Sequence, residues 1–133
     1  MTRRMHVLVI DDHPLMAQAL DRIIQRDGHR VVLAASGREG LDYIERARQE
    51  ADPFAVVITD FSMVDLDGLA VARSIKQTSP TTRVVLLTAH LLPTNAQPPP
   101  DVDWLLTKPP KLADLRAALA NASRDRQRFA SGE

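Results

Sequence analysis

Five polar residues stand where short apolar runs stop. Asp11 and Asp12 follow Val7-Leu8-Val9-Ile10, Asp60 closes the run from Phe54 to Thr59, Thr88 closes the run from Arg83, and Lys108 follows Trp104-Leu105-Leu106-Thr107. If those runs are parallel strands, their carboxyl ends share one edge of a sheet, which is where open α/β sheets bind ligands. Three carboxylates gathered there repel one another and raise each other's pKa. A hard divalent cation resolves this, because carboxylate and carbonyl oxygens suit Mg²⁺, which keeps several waters and commonly binds phosphate as well. Lys108 then offers a point charge to an anion, and Thr88 a hydroxyl donor. Cation, carboxylate, hydroxyl and ammonium together make a phosphoryl-transfer site, which works by positioning and charge neutralisation. A carboxylate can itself take the phosphoryl group, as an acyl phosphate.

The elements that must position these residues alternate along the chain. His6–Ile10 reads as a strand buried on both faces, Arg30–Ala34 as a second, Phe54–Thr59 as a third, Arg83–Thr88 as a fourth and Trp104–Thr107 as a fifth. Between them, Pro14 opens a helix that Gly28 stops, Ser36-Gly37 opens another that Asp52-Pro53 breaks, and Leu69–Gln77 carries helical spacing. Leu112, Leu115, Leu119 and Ala122 form a last amphipathic helix, with a charged tail expected to fray from Arg124. Such alternation predicts right-handed βαβ crossovers and an open parallel sheet with helices on both faces. No helix is expected between Leu91 and Asp101, where Pro98-Pro99-Pro100 cannot occupy a helix interior.

Composition narrows the class. A chain of 133 residues fits one domain and can bury one core. Its 17 basic and 17 acidic side chains cancel, which argues against a dedicated nucleic-acid module. With no cysteine there is no disulfide, thiolate metal site or cysteine nucleophile. Scattered histidines leave no zinc site, and His13 and His90 read as exposed loop residues. No apolar run approaches the length of a membrane span and no leader is evident, so the expectation is a soluble, cytoplasmic protein. Of nine prolines, six fall in the last third: Pro93, Pro98, Pro99, Pro100, Pro109 and Pro110.

Over about residues 5–122 the chain resembles the receiver domains of two-component response regulators. The resemblance is carried by Val9-Ile10-Asp11-Asp12-His13-Pro14, Thr59-Asp60 with Met63 and Asp67-Gly68, Leu87-Thr88-Ala89, and Thr107-Lys108-Pro109. It implies a flavodoxin-like five-stranded sheet in the order 2-1-3-4-5, with the fourth helix short or replaced by the proline-rich loop. It makes Asp60 the phosphoacceptor. Mg²⁺ would be held by Asp11, Asp12, Asp60 and the backbone carbonyl of Ser62, while Thr88 and Lys108 would bind the phosphoryl group. The Lys108–Pro109 bond is expected to be cis. Met63 and Gly68 would shape the loop behind Asp60, Ala89 would leave the phosphoryl group room, and Ser62 and His90 would tune its lifetime.

The chain also departs from that pattern. Val64 stands where the family often has proline, and Leu105, with Trp104 beside it, stands where a switch aromatic is usual. Adjacent strand residues point to opposite faces, so Trp104 does not simply substitute. The Thr88-to-Lys108 interval is slightly shorter than the family norm. Asp65-Leu66-Asp67-Gly68-Leu69 superficially resembles a haloacid-dehalogenase phosphatase motif, but it lies in a loop past the strand rather than directly after it.

The expected protein is therefore a single receiver domain over residues 1–133, with a charged tail at 123–133. It is not an enzyme on an external substrate. It would take a phosphoryl group from a histidine kinase or phosphotransfer protein and switch contacts with an output protein or domain, without binding nucleic acid or membrane itself. The alternatives are a phosphorylation-independent interaction module, or the N-terminal receiver of a longer DNA-binding regulator or hybrid kinase.

Overall fold

The computed structural model describes residues 4–89 and 97–130, with side chains as far as Arg124. Its elements are β1 (His6–Ile10), α1 (Pro14–Arg26), β2 (Arg30–Ala34), α2 (Gly37–Gln49), β3 (Val56–Asp60), α3 (Gly68–Thr78), β4 (Arg83–Thr88), β5 (Trp104–Thr107) and α4 (Leu112–Ala130). The five strands form one parallel sheet in the order β2-β1-β3-β4-β5, as the sequence reading expects.

The continuous apolar runs are explained by burial on both sheet faces. Val7 and Val9 of β1, with Val56 and Ile58 of β3, pack under Leu20 and Ile24 of α1 and Leu115, Ala118 and Leu119 of α4. The alternate residues Leu8, Ile10 and Val57 pack instead with Ile44 and Ala47 of α2 and Val71, Ala72 and Ile75 of α3. Every residue of Val7–Ile10 is fully buried. The middles of these strands are apolar, so the chemistry is confined to where they end.

Element ends are set by local chemistry. Pro14 occupies the first turn of α1, and Gly28, at φ +96°, reverses the chain after it. Ser36 caps α2 by accepting the Glu39 N–H, and the Glu39 carboxylate reaches back past the cap to accept from the Ala35 N–H at 3.3 Å.

Several boundaries differ from the sequence reading. β3 starts at Val56 rather than Phe54, although Ala55 already bonds both neighbours, His6 and Arg83, at the sheet entrance. It ends on Asp60 itself. The last helix runs to Ala130, through the region expected to fray, since arginine and glutamine are good helix formers. Between β4 and β5, His90 and residues 91–96 lie outside the described residues. Gln97–Pro99 have no regular structure, and a turn at Pro100-Asp101 is closed by the Val102 N–H on Pro99 O at 3.1 Å. Among the described residues no helix is long and apolar enough to cross a membrane.

Candidate functional site

Strand register brings the five residues to one edge. Ile10 pairs with Thr59, so the residues that follow, Asp11 and Asp60, lie side by side. Thr88 pairs with Thr107, placing Lys108 one step beyond. Backbone bonds continue the ladder past the strands: Asp11 N–H to Ala34 O at 3.0 Å, Phe61 N–H to Leu87 O at 2.9 Å, and Lys108 N–H to Thr88 O at 2.8 Å. The Lys108–Pro109 bond is cis, as expected.

Lys108 is the electrostatic hub. Its Nζ donates to Asp60 Oδ2 at 2.8 Å and to Asp11 Oδ1 at 3.3 Å, and lies 3.2 Å from Asp11 Oδ2. The Asp11 and Asp60 side chains are 1% and 6% exposed, so these contacts are only weakly screened. Burial alone would lower the Lys108 pKa, but the hydrogen bonds and charges of Asp60 and Asp11 outweigh it and raise the pKa above its ordinary value.

One ammonium does not satisfy the cluster. Asp11 Oδ2 and Asp12 Oδ1 are buried oxygens without a hydrogen bond. One ligand atom each from Asp11, Asp12, His13 and Asp60 falls within 4.8 Å of the others. This oxygen-rich donor set, with orphaned lone pairs, fits a hard divalent cation. Beside it lies a cavity of about 130 Å³ lined by His13, Asp60, Phe61, Ser62, Thr88, Ala89 and Lys108. Carboxylate, hydroxyl and ammonium thus face one small chamber. Ser62, exposed, and the buried Thr88 both stand on its wall, where the sequence reading puts them.

Two residues have parts that the sequence did not reveal. His13 turns toward the acidic cluster: its Nδ1 is 3.1 Å from oxygens of both Asp11 and Asp12, and its N–H donates to Asp11 Oδ1 at 2.8 Å. Direct adjacency to Asp11-Asp12 was the available signal. Asp65 ties the loop after Asp60 to a different element, its carboxylate accepting from Gly37 N–H at 3.1 Å and Arg38 N–H at 2.9 Å. Those donors, Arg38 first, hold its carboxyl below the usual range even at the surface. No local pattern announces a contact across 28 residues.

Asp65→Ala should therefore release the loop carrying Ser62 and leave the first two N–H groups of α2 without this acceptor. Amide exchange at Gly37 and Arg38 should quicken several-fold, with Asp65→Asn intermediate. Unchanged exchange at both amides would mean that the loop is held by Met63 and Leu66 packing alone.

Trp104 and Leu105 point to opposite faces, as the sequence reading requires. Trp104 packs with the α1/α4-side core and Leu105 with the α2/α3-side core.

A doubly wound parallel sheet with an acidic, lysine-bridged pocket at the carboxyl ends of β1, β3 and β5 defines a class of small α/β signalling domain. The family described as "Response regulator receiver domain" matches residues 7–120, and the chain belongs to it. It is 36% identical over 124 residues to the positive alginate biosynthesis regulatory protein of Pseudomonas aeruginosa, a match covering 90% of this chain and 48% of that protein. It is 34% identical over 85 residues to the transcriptional regulatory protein GlrR of Escherichia coli, covering 64% of this chain and 18% of that protein. The chain thus spans about half or less of these curated relatives. A crystal structure of a receiver domain protein from Clostridium thermocellum superposes with a TM-score of 0.78 at 29% identity, over 94% of this chain and 98% of that one.

Proposed function

We propose that Asp60 is the phosphoacceptor of this receiver, and that the whole chain acts as one such domain in the cytoplasm. The observation that carries this is a carboxylate at the end of a fully buried strand, bridged by Lys108 Nζ at 2.8 Å and opening on a chamber shared with Thr88. An Asp60 oxygen attacks phosphorus in a phosphohistidine. The N–P bond breaks, the donor imidazole leaves with its nitrogen lone pair, and an aspartyl phosphate forms. Lys108 and the Thr88 hydroxyl bind the phosphoryl oxygens as charge shifts onto them. Asp11, Asp12, Asp60 and the Ser62 carbonyl would hold Mg²⁺, which neutralises phosphoryl charge when bound. Water later hydrolyses the acyl phosphate, returning Asp60 and inorganic phosphate. The domain turns over no external substrate. The donor is a histidine kinase or phosphotransfer protein, and the output is a shift between two surface states read by another protein or domain.

Incubation with Mg²⁺ and a small phosphodonor should add one phosphoryl group to the wild type and none to Asp60→Asn. Addition of beryllofluoride should shift the emission of Trp104, the single tryptophan. A mass shift that survives in Asp60→Asn, or no shift in the wild type, would refute the assignment.

A further inference from the structure

We infer that His13 supplies a nitrogen ligand to the cation pocket, so that the site prefers a divalent first-row transition ion, with Mn²⁺ the best match, over Mg²⁺. The inference rests on the metal-dependent reading above and goes beyond it by naming a ligand and an ion class.

The first observation is a conflict at Nδ1. Lys108 Nζ, which can only donate, is 3.1 Å away. Asp11 Oδ1 and Asp12 Oδ1, which as carboxylates can only accept, are each also 3.1 Å away. No protonation state of Nδ1 satisfies all three. As an acceptor it faces two carboxylates lone pair to lone pair, and as a donor it faces an ammonium. Coordination removes the conflict, because Nδ1 and the carboxylates then all give lone pairs to one cation, while Lys108 turns to Asp60 and an incoming anion.

The second observation is spacing. Two ligands at right angles, each about 2.1 Å from a cation, lie about 3.0 Å apart. The Nδ1 contacts with Asp11 and Asp12 have that separation, and Asp60 Oδ2 follows at 3.7 Å. The third is the orphaned Asp11 Oδ2, whose side chain is 1% exposed and which has an ammonium nearby but no hydrogen bond.

The mixture sets the metal. Three carboxylates suit Mg²⁺ or Mn²⁺, whereas an imidazole adds nothing for Mg²⁺ and favours the transition ion. The scarcity of cysteine and histidine elsewhere argues against zinc, which prefers a tetrahedral nitrogen and sulfur set.

The test uses the full chain with MnCl₂ and MgCl₂ separately. Electron spin-echo modulation of the Mn²⁺-loaded wild type should show a directly bonded ¹⁴N. His13→Gln should lose that signal while still binding Mn²⁺ through its carboxylates. Its preference for Mn²⁺ over Mg²⁺ should fall by at least about tenfold, the scale on which even changes just outside a metal's ligands are felt. Absence of the nitrogen signal from the wild type, its survival in His13→Gln, or an unchanged metal preference would each overturn the inference. The control is Asp12→Asn. If Mn²⁺ binds in an Asp12-dependent way without nitrogen, only the His13 assignment fails. If neither ion binds the wild type, the cation reading fails with it. The wild-type signal decides even if His13→Gln should misfold.

Discussion

Replacing Lys108 with methionine is expected to lower the stability of the metal-free protein by about 3 kcal/mol, the lower end of the cost of breaking a buried ion pair. For a chain of this length that is a fall in Tm on the order of 10 °C. The physical reason is what stays behind. Asp11 and Asp60 are nearly inaccessible, and Lys108 Nζ lies 2.8 Å from Asp60 and 3.2 Å from Asp11. Methionine fills most of the lysine's volume but leaves two buried carboxylates facing each other. A divalent cation should substitute for the lost charge, so Mg²⁺ should raise the Tm of Lys108→Met more than that of the wild type. At a hundred times Kd, such binding contributes about 2.7 kcal/mol. Equal Mg²⁺ effects on both proteins would show that Lys108 does not balance the cluster. Phosphoryl uptake is expected to remain slow even with Mg²⁺ present, by roughly 10²-fold, because the cation cannot replace a donor aimed at the phosphoryl oxygens.

The same residue gives the protein an alkaline limb. Because folding raises the Lys108 pKa above 10.5, its contribution is complete below that value and is lost as pH rises through the folded-state pKa. Thermal unfolding of the wild type should weaken over that window more steeply than that of Lys108→Met. Parallel alkaline limbs would mean that Lys108 titrates as it does in the unfolded chain.

Much of this site could be read from the sequence because burial leaves so few options. Val7–Ile10 and Val56–Thr59 are buried on both faces, so they had to be central parallel strands, and Asp11 and Asp60 had to emerge where they end. Parallel direction then forces Thr88 and Lys108 to the same edge. What remained hidden depends on contacts that period and propensity do not encode. His13 reads as a solvated loop residue, and at 65% exposed it is one by area, yet its ring nitrogen turns into the carboxylates. Asp65 sits in what looked like an irrelevant acidic motif, and its role appears only when α2 folds beside the loop. The strand-five pair shows the opposite case, in which simple alternation correctly sends Trp104 and Leu105 to different cores. The last helix extends to Ala130 although its end is rich in charge, because charge and helicity are compatible.

Gly68→Ala should couple stability to chemistry in one substitution. Gly68 opens α3, its N–H donates to Phe61 O at 2.7 Å, and Asp67 caps the helix through the Ala70 N–H at 2.8 Å. A Cβ at this position would stand 2.6 Å from Asp60 O, 3.0 Å from Phe61 Cα and 2.5 Å from Leu86 Cδ1. The leucine methyl can swing aside, but the peptide oxygen of Asp60 cannot. Either the start of α3 withdraws and breaks the bond to Phe61, or the Asp60–Phe61 peptide moves. Overpacking of this kind costs about 3 kcal/mol. A displacement near 1 Å at a reacting group costs about 10²-fold in rate. Phosphoryl uptake at Asp60, measured well below the lowered Tm so that the variant is folded, should therefore fall along with Tm. A lower Tm with an unchanged rate would show that α3 gives way and that the backbone under Asp60 is the stiffer of the two.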